Sequence, residues 1–346
     1  MRNQKFAFIM SPQVKLGFTL SYDYLQPSLC HDLVTLLDNS NFTHLFIPER
    51  WGHDAFTQVT TMAHYTSELI LGTGIVNLFS RTPATLAQTA ASIDELTEGR
   101  FILGLGLSGP IVIQDWHGIN FFQPSPLQRT REYLEILRLI FSGERVNYSG
   151  KIYSLKRFSL SSFEPSLTIP IFLASMGSKN VQITGELADG WFPIWTSFTE
   201  IPSSKQDLKL GLEKRERTLR SKEELEITPY ILTCASDTEN AKNLIQRNLA
   251  YYIGGMGTFY FEIIKRYGFE TEANRIRKAF LAGDRETAAN SVSQDMLDRI
   301  AVVGPPEYVV KRYDELRQLG TDIPVVMLPH NCTPELAMDT ISAFQQ

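Results

Sequence analysis

Cysteine is scarce: the 346-residue chain has three, Cys30, Cys234 and Cys332, each far from the others. None sits in a C-x-x-C pair or at a metal-ligand spacing. That excludes a disulfide framework and a cysteine zinc site, and the thiols read as reduced. Surplus positive charge is missing too, with 33 Lys and Arg against 38 Asp and Glu and a formal net charge of −5. Without a basic excess to meet phosphates or anionic lipid, neither nucleic-acid nor membrane partners are expected. Long apolar runs are absent. The N-terminal one, Phe6–Met10, is cut by Pro12. It is too short for a membrane span or the core of a signal peptide, so a cytoplasmic location is expected. No repeat of about 20–50 residues and no low-complexity tract is visible. H-E-x-x-H and P-loop patterns are lacking, as is a Ser/His/Asp order, and no metal site is expected. An enzyme without a strong nucleophile or metal of its own points to a bound cofactor that carries the chemistry.

What is present is ordinary globular composition, 43% hydrophobic and 21% charged. The length suits one large α/β barrel or two smaller domains. The stretch from Leu69 to Pro110 organises the chain. Two apolar runs, Leu69–Leu78 and Arg100–Leu107, flank a helical run, Pro83–Leu96. Leu86, Ala90, Ile93 and Leu96 recur three or four residues apart and give that helix one apolar stripe. Pro83 suits a first turn and Gly99 a stop. Both strand runs are apolar on both faces, as in a parallel sheet covered by helices, so the unit is βαβ.

The same reading places further strands at Lys5–Met10, Thr43–Ile47, Ile169–Ala174, Gly190–Ile194, Ile227–Cys234 and Ile323–Leu328, with a polar loop from the first of them to Gln26. Helices are expected over Ser28–Asn39, Ala55–Tyr65, Gln128–Phe141, Ser178–Leu187, Lys205–Arg220, Asp237–Ile253 (with Asp237 as N-cap), Glu307–Leu319 and Pro334–Phe344. Insertions are expected at about 142–168, with hairpin character around Asn147–Tyr153, and at about 254–300, where short helical pieces exceed one crossover. Strands and helices alternate eight times in one domain spanning 1–346. The fold class is therefore α/β, a (β/α)8 TIM barrel with insertions, with an open doubly wound sheet as the alternative.

Several stretches are suited to chemistry. Gly104-Leu105-Gly106-Leu107-Ser108-Gly109 spells G-x-G-x-x-G after a strand. Pro110 and a loop follow where a helix should open, and this is not the first βαβ unit, so no dinucleotide site is expected. The glycines suit a tight barrel-mouth turn, or a backbone lining for a different planar cofactor. Gly74-Ile75 lies inside a strand, where glycine marks a bulge, a close ligand approach or relief of twist. Ser175-Met176-Gly177-Ser178-Lys179-Asn180 joins a strand to a helix. Free N–H groups with Ser178 and Lys179 make an anion site there, or simply a well-capped helix. Glu49, Arg50, Trp51 and His53 follow the second strand, and Asp115, Trp116 and His117 follow the fourth. In a barrel both groups lie at the catalytic mouth.

Taken together, some of these stretches resemble a known family. Leu71-Gly72-Thr73-Gly74-Ile75, Arg81-Thr82-Pro83-Ala84, Gly99-Arg100-Phe101-Ile102-Leu103-Gly104-Leu105-Gly106 and Glu186-Leu187-Ala188-Asp189-Gly190-Trp191 are similar to the luciferase-like monooxygenase superfamily. So is the Arg129–Gly143 helix followed by Val146–Leu155. Ser108-Gly109-Pro110, Asp115-Trp116-His117-Gly118 and Tyr252-Ile253-Gly254-Gly255-Met256-Gly257 resemble a narrower branch, deazaflavin-dependent oxidoreductases similar to methylenetetrahydromethanopterin reductase. The resemblance implies a TIM barrel that binds coenzyme F420, or alternatively FMN, at the C-terminal strand ends. The strand-three bulge, often with a non-proline cis peptide, would back the ring at Thr73, Gly74 and Ile75. Asn77, Ser108, Gly109 and Pro110 would approach the ring or its ribityl chain. Gly177, Ser178 and Lys179 would take the phosphate, with Ser175 and Met176 also in the cofactor site. Homodimers are common among relatives.

The expected function is hydride transfer between the deazaflavin and a small organic substrate. The alternatives are an FMN-dependent monooxygenase, a non-catalytic flavin-binding paralogue, and a phosphate-binding lyase without a redox cofactor. Glu49 and His117 are the expected proton donors, and Arg50, Trp51, His53 and Trp116 the expected substrate contacts. Sugar-phosphate-oxidising relatives place an acid after strand four and a histidine after strand two. Gly109 and Arg50 sit near those positions, so sugar oxidation is not expected.

Overall fold

The computed structural model describes residues 14–20, 27–161, 163, 167–215 and 225–345. The elements begin with β1 (Gly17–Thr19), α1 (Pro27–Asp38), β2 (His44–Ile47), α2 (Ala55–Met62), β3 (Ile70–Thr73), β4 (Val76–Asn77), α3 (Pro83–Leu96) and β5 (Phe101–Gly106). A π-helical turn, Ile111–Trp116, precedes α4 (Pro126–Phe141) and the hairpin of β6 (Val146–Ser149) and β7 (Ser154–Phe158). Then come β8 (Ile171–Ala174), α5 (Ser178–Leu187), β9 (Gly190–Trp191), α6 (Ile201–Leu212), β10 (Glu226–Ile227), β11 (Tyr230–Ala235) and α7 (Glu239–Gly255). Four short helices follow: α8 (Phe259–Arg266), α9 (Glu270–Leu281), α10 (Arg285–Asn290) and α11 (Gln294–Ile300). The described chain finishes with β12 (Ala301–Gly304), α12 (Pro306–Gln318), β13 (Val325–Met327) and α13 (Pro334–Ser342).

Every pairing in the large sheet is parallel, in the order β10-β9-β8-β5-β3-β2-β1-β13-β11-β12, with β4 continuing β3 alongside β5. A parallel bridge between Ile194, just past β9, and Tyr230, the first residue of β11, links the two sides of this order. The sheet therefore curls shut, as a barrel does and an open doubly wound sheet does not. Strands such as β2, β5 and β11 are buried along their whole length, because helices cover one face and barrel contents the other. Alternation splits β2 between the two: Leu45 and Ile47 pack under the helices, whereas Phe46 points inward. The interior is aromatic, with Phe192 meeting Phe46 at 5.0 Å and Phe172 and Tyr230 at 5.1 Å each.

The long βαβ unit forms as the sequence implies. Thr82 caps α3 by accepting from the Thr85 N–H at 3.2 Å, with Pro83 next in the first turn. Other elements differ. The place between β2 and β13 is filled by Gly17–Thr19, which the sequence reading leaves in a loop, because three residues carry no periodicity. The expected strand Lys5–Met10 lies outside the described residues. β12 is an additional strand, an apolar run of four squeezed between two helices and paired to β11. Thr238, not Asp237, caps α7, and that helix continues through Gly254 and Gly255. α6 begins earlier than expected, at Ile201, and ends at Leu212; of the expected continuation, 213–215 are not helical and 216–220 lie outside the described residues. Asp115 and Trp116 belong to the π-turn rather than to a loop.

Candidate active site

The C-terminal ends of the barrel strands open into a cavity of about 650 Å³, within the range of small-molecule and cofactor sites. Gly74 and Ile75 form part of its floor. The peptide between them is cis, and it separates β3 from β4. The Gly74 N–H donates to the Ile47 carbonyl at 2.8 Å, and the Ile75 carbonyl accepts from the Glu49 N–H at 3.1 Å. A Cβ at residue 74 would stand 1.9 Å from Tyr230 Oη, so only glycine leaves this floor flat. One wall is the end of β5, where Ser108 adopts φ +62° and the chain turns into the π-helical segment. At the far wall, β8 runs into α5, whose first amides have no acceptor within the helix.

Of the residues singled out from the sequence, Glu49, Arg50, Trp51, Gly74, Ile75, Ser108, Gly109, Ser175, Met176, Gly177, Ser178 and Lys179 line this cavity. The others stand apart from it. Thr73 is buried in the sheet, its hydroxyl donating to Gly104 O at 2.8 Å and accepting from Gly104 N at 2.9 Å. Asn77 Oδ1 accepts from the N–H groups of Phe79 and Ser80, closing a local turn. Pro110 heads the π-turn, His117 ends it, and His53 and His117 are both exposed. Trp116 packs edge-on against Trp51, ring centres 4.8 Å apart.

Glu49 reaches the cavity in a specific state. Both its oxygens accept from the Arg81 guanidinium at 2.7 Å, and Arg81 also bonds Asp54 at 2.6 Å. Such a fork holds the carboxylate's orientation and ties the ends of β2, α2 and β4 together. Arg81 is held above its ordinary range first by the Glu49 bond, against burial. Ser178 is committed too: its hydroxyl donates to Asp207 at 2.7 Å, and Gln182 joins the same carboxylate at 3.0 Å. The anion-binding capacity at this end therefore rests on the α5 amides and on Lys179.

The sequence reading missed what stands behind Arg50 and Tyr252 on the opposite wall. Arg50 donates to His330 Nε2 at 2.7 Å, and His330 comes from the loop after β13. The rings of Tyr251 and Tyr252 lie 5.9 and 6.0 Å from His330, and Tyr260 stands edge-on to Tyr252 at 5.2 Å. Burial, then Tyr252, push the Tyr260 phenol above its ordinary range, with Arg50 pulling it back. A histidine just past a barrel strand was the available signal for this wall. Phe121, Phe122, Met256 and Phe259 complete a largely apolar lining. Three buried polar atoms in the lining residues, Thr19 Oγ1, Asn180 Oδ1 and Tyr230 Oη, have no partner among the described residues. A floor with no side chain at Gly74, amides at one end and orphaned polar atoms between apolar walls fit a flat ring carrying a phosphate-bearing chain.

Comparison with known proteins agrees with this geometry. The family model for luciferase-like monooxygenases matches residues 21–322. A protein of Mycobacterium tuberculosis, whose name places it among coenzyme F420-dependent oxidoreductases, is 33% identical over 92% of this chain and 96% of its own length. The 5,10-methylenetetrahydromethanopterin reductase of Archaeoglobus fulgidus is 28% identical over 83% of this chain and 85% of its own. The fold is that of the coenzyme F420-dependent tetrahydromethanopterin reductase from Methanopyrus kandleri, with a TM-score of 0.79, 22% identity, and coverage of 96% of this chain and 98% of that one. With the family match running almost from β1 to β13, the chain belongs to the luciferase-like monooxygenases.

Proposed function

We propose that this protein is an oxidoreductase that uses coenzyme F420 to pass a hydride to or from a small organic substrate. The observation that carries the reading is the backbone floor at Gly74, which only glycine leaves open, in one cavity with the α5 amides. Gly74, Ile75, Ser108 and Gly109 would hold the ring, and Met176, Gly177, Ser178 and Lys179 the phosphate-bearing chain. The deazaflavin, when bound, supplies the hydride-carrying centre. The chain's own part is to bind, orient and keep water away. Trp51, Phe122 and Phe259 keep large apolar surfaces exposed at 52%, 59% and 41%, and they all line the cavity. They suit a substrate with an apolar body. Arg50, held by His330, suits a polar or anionic end of that body.

Glu49 enters this reading as the acid of an ion-pair network that shapes the wall, and His117 as the exposed end of a turn. Neither is placed to release a proton into the cavity: both Glu49 oxygens are tied to Arg81, and His117 stands outside the lining. The branch resemblance and the named relatives favour F420 over FMN. Titration of the purified chain with each coenzyme, followed by calorimetry and tryptophan fluorescence, decides between them. F420 binding at micromolar level or tighter, with no comparable FMN binding, is the expected result. Preference for FMN would move the assignment to a monooxygenase, and binding of neither would overturn the reading. Light scattering of the same sample tests the homodimer, expected at twice the mass of one chain.

A further inference from the structure

We infer that the Tyr230 hydroxyl is the hydrogen-bond donor of the cavity floor, offered to a carbonyl oxygen or imine nitrogen of the bound coenzyme or substrate. The assignment rests on the functional reading above. Tyr230 begins β11 at the seam that closes the barrel. Its N–H donates to the Pro193 carbonyl at 2.9 Å, and its ring is wedged between Phe192 at 5.1 Å and Phe46 at 6.2 Å. The hydroxyl is thus fixed in place by packing on two sides.

Tyr230 lines the cavity, yet its oxygen is buried and has no partner among the described residues. A buried hydroxyl with no partner costs free energy, and a fold keeps one where something else completes it. Its location is specific. The oxygen occupies the space a Cβ of Gly74 would take, so it abuts the floor on which the ring is proposed to lie. Burial also drives its ionisation well above the usual phenol range, so it remains an O–H donor throughout the working pH range.

No proton leaves Tyr230 in this proposal. Its hydrogen bond stabilises negative charge that builds on the acceptor atom as hydride arrives, or holds the ring by the same bond at rest. Glu49 cannot supply that donor while both of its oxygens accept from Arg81.

The test compares the full chain with Tyr230→Phe, which keeps the ring and removes the hydroxyl. Without coenzyme, the thermal midpoint is expected to hold or rise, because an unsatisfied polar atom has gone. F420 affinity is expected to fall about three- to tenfold, with a changed absorbance maximum of the bound coenzyme, if the acceptor belongs to the ring. If it belongs to the substrate, F420 binding stays equal while kcat falls at unchanged KM. Equal affinity, spectrum and kcat in the two proteins would overturn the assignment. So would a clear fall in thermal midpoint without coenzyme, since the hydroxyl would then be a structural bond. Failure of the wild-type chain to bind either coenzyme would overturn the functional reading, and this assignment with it; failure of the variant alone to differ would remove only Tyr230.

Discussion

A methyl group added at Gly74 would meet Phe46 Cβ at 2.9 Å as well as the Tyr230 side chain. Neither neighbour is the loose end of a flexible chain, so the floor itself must shift. Gly74→Ala is expected to lose about 1–3 kcal/mol of stability through overpacking. It should also weaken F420 binding by about tenfold or more, read by urea unfolding and calorimetry respectively. Unchanged affinity would remove Gly74 from the floor. This residue was legible because a glycine inside an apolar strand is conspicuous. The α5 junction was legible for a similar reason: small and basic residues sit where a strand meets a helix. The state of Glu49 was not. Its partner Arg81 lies 32 residues away, and no local spacing encodes that pairing. Tyr230 was hidden for the opposite reason, since an aromatic at the head of an apolar strand reads as core, which most of its ring is.

Among the elements, the β6–β7 hairpin shows how one buried side chain holds a whole insertion. Glu132, on α4 and 1% exposed, accepts from the N–H groups of Lys151, Ile152 and Tyr153 at 2.7, 2.9 and 3.0 Å, and from Gln128 Nε2 at 2.8 Å. Burial by itself would raise its ionisation, but these four donors outweigh burial and lower it. The hairpin's share of stability is therefore present above the ordinary carboxylate range and lost as pH falls through the depressed value. Glu132→Gln turns one acceptor oxygen toward the donors as an NH₂ group. It is expected to cost about 1–3 kcal/mol and to raise amide exchange at residues 151–153. Slow exchange there in the variant would show that α4 does not hold the hairpin. Both α3 and α5 were readable to the residue, α3 because propensity, the Thr82 cap and the apolar stripe agree. β1 and β12 were not, because runs of three and four residues carry too little pattern and are fixed as strands only by their neighbours in the sheet.

For the molecule as a whole, the barrel was foreseeable from eight alternations, although one of its strands came from an unexpected place. The closed sheet also sets a pH dependence. His44 lies in β2 between β1 and β3, 2% exposed. Burial, then the charge of Lys15, push its ionisation down from 6.5 to about 3. The folded chain keeps it neutral while the unfolded chain takes a proton below 6.5, so stability is full above that pH and falls as pH drops toward 3. The urea midpoint is expected to decline from about pH 6.5 to pH 5, by up to about 1.4 kcal/mol per unit, before carboxylates add their own effect. His44→Phe should flatten that decline; equal slopes in the two proteins would assign it elsewhere. Closure has one more outcome, in the order of synthesis. β1 pairs with β13, and the cavity is lined both by Thr19 and Leu20 and by Met327 and Leu328. A nascent chain on the ribosome can form most of the sheet while the gap between β1 and β11 stays open. The cavity is then complete only after β13 has left the exit tunnel, so an incomplete translation product lacks the wall that Met327 and Leu328 supply.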